Sequence, residues 1–151
     1  MRVELGSRCI SSPAEMAAFV DDFESHTLPK GDWTHHAHLA VGLWYVINYP
    51  EDEVLDRLRQ AIRTFNEAVG GENTDSAGYH ETITRFYLWH IREHARETAE
   101  QPFMQALQEL LAGPAADREF PLQFYKRERL FSVEARLGWV EPDLMPALGL
   151  N

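Results

Sequence analysis

Nine consecutive residues, Leu39 to Ile47, are apolar or small on every side of a helical wheel. A helix apolar around its whole circumference must be covered all round, so it belongs in the middle of a bundle. The run falls well short of the ~20 residues that a membrane helix needs. Its limits are written in the flanks. Asp32 or Thr34 can cap a helix N-terminus with a side-chain oxygen, and Pro50 disfavours helix in the residue before it. Residues 34–48 are therefore read as a central helix, which the rest of the chain has to surround.

The surroundings read as amphipathic helices. Ser12-Pro13-Ala14-Glu15 is a capping box with proline at the first helical position. Met16, Phe19, Val20 and Phe23 then mark one face, and the helix is expected to end near 25–26. Residues 52–69 carry Val54, Leu58, Ile62, Phe65 and Val69 along one stripe, and Gly70-Gly71 offers a left-handed ending. A polar loop over 72–78 precedes a fourth helix, expected from about 76–79 to 98. A fifth follows Pro102 and closes at Gly113-Pro114. Two short helices are read over 121–131 and 132–137, with Ser132 capping the second, then an extended tail over 139–150. No strand run is recognised. The expectation is an all-α fold, one helical domain over 1–151. It comprises about five main helices, short C-terminal helices and a tail laid over the bundle.

Charge and cysteine content narrow the functional classes. The 151 residues hold 14 Lys+Arg against 24 Asp+Glu, a net charge of −10 with histidine neutral. Nucleic acids and anionic membranes both call for a positive field, so neither is expected as a partner. Cys9 stands alone; it forms no internal disulfide and excludes cysteine-built zinc ribbons and iron–sulfur clusters within one chain. A single thiol suits a reducing compartment. Residues 1–10 carry Arg2, Glu4 and Arg8 and lack the apolar centre of a signal peptide. A cytoplasmic protein is expected, of open oligomeric state.

Seven histidines are the distinctive residues: His26, His35, His36, His38, His80, His90 and His94. His35 and His38, three apart, share a helix face. On the fourth helix His80 groups with Ile83, Thr84, Tyr87 and Ile91, so it is expected to face inward. Glu81 falls on the opposite side, where a solvent-side pair with Arg85 is the simplest reading. Short connections make sequential helices antiparallel, so the second and fourth are expected to run parallel and bring His35, His38 and His80 to one end of the bundle. His90 and His94 lie at the far end.

Three readings of that convergence stand open, of which a divalent metal held by His35, His38 and His80 is the expected one. Three imidazoles suffice to hold Zn, Ni or Fe, with positions left for water or substrate, and a metal-bound water would act as nucleophile or base. Without metal, free helix N–H groups and neutral histidines can hold a small carboxylate or phosphate. The third reading has the histidines packed and bonded for structure alone, in an interaction protein. Trp33 and Tyr87 are candidate pocket walls for a small-molecule ligand. Arg129, in the local run Lys126-Arg127-Glu128-Arg129, is a candidate anion contact. Several signals fail. Thr84 stands where H-E-x-x-H needs its second histidine. E-x-x-H, G-x-G-x-x-G, the P-loop and G-x-S-x-G are absent.

Trp33-Thr34-His35-His36-Ala37-His38-Leu39 is similar to a W-T-H-x-A-H-L pattern. The stretch Gly78-Tyr79-His80-Glu81-Thr82-Ile83-Thr84-Arg85-Phe86 resembles G-Y-H-E-T-x-T-x-F. Ser132-Val133-Glu134-Ala135-Arg136, with Trp139-Val140 and Pro142-Asp143-Leu144, resembles S-x-x-A-R…W-V-x-P-D-L. Together they resemble a family of short uncharacterised bacterial and fungal proteins, over most of the chain from residue 33 onward. The resemblance implies that His35, His38 and His80 belong to motifs and that His36 fills a variable slot; it implies no reaction. A looser likeness, of architecture alone, is to DinB-type bundles, which place a histidine triad around a divalent metal. Their spacings and helix boundaries differ from those here.

Overall fold

A computed structural model of the protein describes residues 1–145. Two short strands, β1 (Val3–Leu5) and β2 (Arg8–Ile10), precede the helices α1 (Pro13–Glu24), α2 (His35–Asn48), α3 (Glu51–Ala68), α4 (Glu81–Glu97), α5 (Phe103–Ala112), α6 (Arg127–Leu130) and α7 (Val133–Leu137). Single 3-10 turns lie at Lys30–Asp32, Pro114–Ala116 and Phe120–Gln123. The fold is helical, as the periodicity requires.

The central helix is α2. Leu39, Ala40, Val41, Gly42, Leu43 and Tyr45 are all buried, and α3, α4 and α5 pack around them. Each buried aliphatic or aromatic side chain contributes roughly 1.5–3 kcal/mol over its exposed state. Gly42 permits close approach: a Cβ there would lie 2.7 Å from Cδ1 of Ile91 on α4. Thr34 caps α2 by accepting the Ala37 N–H at 3.2 Å, and α3 ends in the left-handed manner, with Gly70 at φ +91° and the Gly71 N–H on the Asn66 carbonyl at 2.8 Å.

Three elements differ from the sequence reading. The chain opens with an antiparallel hairpin, Val3 opposite Ile10 and Leu5 opposite Arg8. Gly6-Ser7 makes its two-residue turn, Gly6 taking φ +63°. Strands of three residues are too short for alternation to stand out, although Val3, Leu5 and Ile10 do face inward. The hairpin is pinned by buried Asp32, whose carboxylate accepts the Ser7 N–H at 2.8 Å and hydroxyl at 3.0 Å. Those Ser7 bonds hold the Asp32 carboxyl below the usual range. Asp32 therefore serves the hairpin and leaves capping to Thr34.

The second difference is the start of α4, which begins only at Glu81. The preceding loop is held open by side chains: Asn73 Oδ1 accepts the Tyr79 N–H at 3.0 Å, and its amide donates to the Arg63 carbonyl at 2.9 Å. Gly78 sits at φ +81° with the Glu72 carbonyl packed against it. The stretch read as one short helix over 121–131 is a 3-10 turn followed by α6. The tail does lie on the bundle as far as residue 145. Thr82 Oγ1 accepts the Val140 N–H at 3.1 Å, and the Leu144 N–H donates to the Phe124 carbonyl at 2.9 Å. The end of the expected tail, 146–150, lies outside the described residues. No helix among the described residues is long and apolar enough to cross a membrane.

Gly6 and Gly42 predict opposite outcomes in chemical denaturation. At Gly6 an added Cβ meets backbone, 2.6 Å from the Asp32 Cα, at positive φ, so Gly6→Ala is expected to lower stability by about 2 kcal/mol. At Gly42 only a methyl must move, and alanine regains up to ~1 kcal/mol of helix propensity. Gly42→Ala is therefore expected to be near neutral; equal losses at the two sites would contradict this packing.

Candidate functional site

Where the apolar run of α2 gives way to its polar first turn, the surrounding helices leave a cavity of about 280 Å³. Its body is apolar: Leu39, Leu58, Ile62, Ile83, Leu88 and Ile91 contribute walls from α2, α3 and α4. The polar contributors are Trp33, His35, His38, Thr84, Tyr87 and Arg118. His35 and Arg118 also border a more open groove of about 680 Å³, whose other side is formed by Glu4 and Gly6 of the hairpin with His36 and Gln108.

His38 is the most constrained polar group there. Its Nδ1 lies 2.7 Å from the Thr34 carbonyl one turn back. A carbonyl oxygen only accepts, so Nδ1 carries the hydrogen, and the neutral ring keeps an unprotonated Nε2. The ring packs on Trp33 with centroids 3.9 Å apart, and Trp33 stacks on Phe23 at 4.2 Å. His38 is an exposed residue by surface area and lines the cavity; the protein atoms around its ring lower its pKa to about 4 by desolvation.

His35 is fixed differently. Its Nε2–H donates to the Ala115 carbonyl at 2.8 Å, and its ring meets the edge of Tyr87 with centroids 5.3 Å apart. Burial lowers its pKa below the usual value, and the charge of Arg118 adds to the effect. The Tyr87 hydroxyl donates to the Asp117 carbonyl at 3.3 Å. Through these two bonds α2 and α4 hold the turn that carries Arg118.

His80, expected at the same end, is not among the residues lining the cavity or the groove. It is the N-cap of α4: Nδ1 accepts the Ile83 N–H at 3.1 Å, and Nε2–H donates to the Leu130 carbonyl at 2.7 Å. Both ring nitrogens are occupied. The reading that put His80 within the helix overlooked that it is the residue before it, where a side chain turns back onto the backbone. Among the described residues no three His, Cys, Asp or Glu side chains gather as a group that could hold a metal. The donor set beside the cavity is a pair, His35 and His38, and does not fit a three-histidine centre for Zn, Ni or Fe.

The remaining candidates also resolve into contacts. Arg129 donates from Nε to the Glu141 carbonyl at 2.7 Å and so holds the tail; Arg118 is the arginine at the cavity. No spacing signal marks Arg118, which follows a 3-10 turn. Glu81 is buried rather than paired with Arg85. Arg59 binds it through two nitrogens at 2.9 and 2.7 Å, and the Tyr79 hydroxyl donates at 2.8 Å. Arg85 lies instead over the Trp139 ring at 4.8 Å. His94 bonds the Ala106 carbonyl at 2.8 Å, and His90 packs on Phe120.

Comparison with protein-family models, curated proteins and solved structures finds no match. The site is therefore read on its own chemistry.

Two stability predictions follow from the imidazoles. His80→Ala removes a cap and a buried bond and is expected to cost about 1–3 kcal/mol, with His80→Asn recovering part by restoring the cap; equal losses in the two variants would contradict the capping role. His35, His38, His80 and His90 all have pKa values lowered below 6.5, each mainly by burial. The unfolded chain takes up protons near 6.5 that the folded chain refuses. Stability is thus fully present above that pH and is lost as pH falls through the interval toward about 4. A thermal midpoint that drops between pH 6.5 and 4.5, less steeply in His38→Gln, is expected; a flat profile would contradict it.

Proposed function

We propose that this chain binds a compact small molecule in the cavity beside the first turn of α2. In this reading the Nε2 of His38 accepts a hydrogen bond from a hydroxyl or N–H of the ligand. One observation carries the reading: the Thr34 carbonyl ties up Nδ1 of a ring that lines the cavity. An apolar chamber with a few directed polar groups is the usual composition of a small-molecule site. About 280 Å³ sits just under the roughly 300 Å³ at which such sites begin, so the buried part of the ligand is small. A neutral, tautomer-locked imidazole offers a lone pair without a buried charge.

The reading is metal-free. Catalytic zinc sites generally use three protein ligands, whereas His35 and His38 supply at most one free nitrogen each, and the bonds of His80 account for both of its own. Metal analysis of purified protein is expected to find no stoichiometric Zn, Ni or Fe. Stoichiometric metal lost in His38→Ala would restore the metal site as the better reading.

The direct test titrates phenol and toluene into the protein and follows side-chain methyl resonances of Leu39, Ile62 and Ile91. Both rings are expected to shift these methyls. His38→Phe keeps an aromatic ring in place and removes the acceptor. It is expected to weaken phenol about three- to tenfold, since a hydrogen bond contributes about 0.5–1.5 kcal/mol, and to leave toluene unchanged. Shifts elsewhere on the protein, or equal losses for the two probes, would overturn the proposal.

A further inference from the structure

Arg118 stands apart from the other arginines of the described residues. Most of those face a carboxylate, such as Arg8 on Asp22 at 2.6 Å and Arg59 on Glu81 at 2.7 Å. Arg129 and Arg136 donate to backbone carbonyls, and Arg63 and Arg85 lie over aromatic rings. Arg118 has neither an ion pair, nor a hydrogen bond, nor a ring beneath it, in a chain of net charge −10 with acidic residues to spare. It is also exposed, and it borders both the apolar cavity and the open groove.

Its placement is built rather than incidental. The turn Pro114–Ala116 is tied to α2 by the His35–Ala115 bond, and the next residue is tied to α4 by the Tyr87–Asp117 bond. The neighbouring carboxylate forms no ion pair with it; Asp117 Oδ1 instead accepts the Glu119 N–H at 2.9 Å. Glu4, across the groove, is largely exposed and lies 3.8 Å from Arg2. A guanidinium carried on a tethered turn at the joint of an apolar chamber and a polar groove offers its fork of N–H donors to an oxyanion.

We infer that cavity and groove form one two-compartment site, in which Arg118 holds the carboxylate or phosphate end of an amphipathic small molecule whose apolar end fills the cavity. The inference rests on the cavity reading above and adds a ligand class to it. The ligand is a short molecule with an oxyanion at one end and a ring or branched chain at the other. Thr34, His36 and Gln108 face the anionic end in the groove, and the aliphatic side chains of α2, α3 and α4 enclose the other.

The probes are phenol, 4-hydroxyphenylacetate, 3-(4-hydroxyphenyl)propanoate and phenyl phosphate, titrated into the full chain by calorimetry and by the same methyl resonances. At least one of the three anions is expected to bind about tenfold more tightly than phenol, an advantage that shrinks as salt is added. Arg118→Gln should abolish that advantage while phenol itself still binds and still shifts the cavity methyls. Folding should be unaffected, because the side chain has no partner to lose. Arg129→Gln, away from the cavity, should change neither. If phenol binds but no anion gains on it, or if the gain survives Arg118→Gln, the two-compartment inference falls while the cavity reading stands. If neither phenol nor any anion binds, both fall.

Discussion

The constraint on which this structure depends is that α2 must be covered on every side. A helix with Leu39, Val41, Leu43 and Tyr45 pointing in different directions has no face to give to water. Three of the other four long helices cover it: α3, α4 and α5 lie against it, while α1 packs on α3, and the glycine at 42 lets one of them come close. The cover is closest over Leu39–Leu43 and Tyr45; farther along the run Trp44 and Val46 are half-buried and Ile47 is exposed. Over the first turn, where Thr34, His35 and His38 replace leucine and valine, the neighbouring helices leave space. The cavity is thus a consequence of where the apolar run begins.

Within that space, hydrogen bonds decide what each imidazole can do. His38 and His80 both meet a backbone carbonyl through one nitrogen. They differ in what becomes of the other nitrogen. For His80 it accepts an amide of its own helix and is consumed in capping. For His38 it remains a lone pair on a ring that borders a cavity. Two histidines with lowered pKa, one exposed and one buried, therefore have different capacities, and the difference lies in their position relative to a helix start. His38 sits one turn inside α2, so its Nδ1 reaches back to a carbonyl; His80 precedes α4, so its Nδ1 meets an N–H.

Much of the fold was legible in the sequence because it rests on long periodic segments with chemical end-marks. Ser12, Thr34 and Ser132 cap where a short polar side chain precedes an apolar run, and Gly70 ends α3 at positive φ. The hairpin was not legible, since three residues a side carry too little alternation and its anchor, Asp32, lies twenty-five residues away from Ser7. Of the site, His35, His38, Trp33 and Tyr87 were all singled out from their spacing and chemistry, and the structure places all four at one cavity. His80 and Arg129 were displaced from it by local events that periodicity does not register: a helix starting a few residues later, and a tail carbonyl within reach. Arg118 had no pattern to announce it. The Glu81–Arg59 pair joins two helices, and a local i,i+4 partner, Arg85, masked it.

The proposed ligand contact turns on the protonation pattern of one ring, and nitrogen-detected NMR of histidine-labelled protein reads it directly. The prediction is that His38 is a neutral Nδ1–H tautomer, that its Nε2 takes up a proton well below the usual pH, with a midpoint near 4, and that the Nε2 resonance moves when phenol is added. A His38 ring that carries its hydrogen on Nε2, or an Nε2 resonance indifferent to phenol while cavity methyls shift, would contradict it.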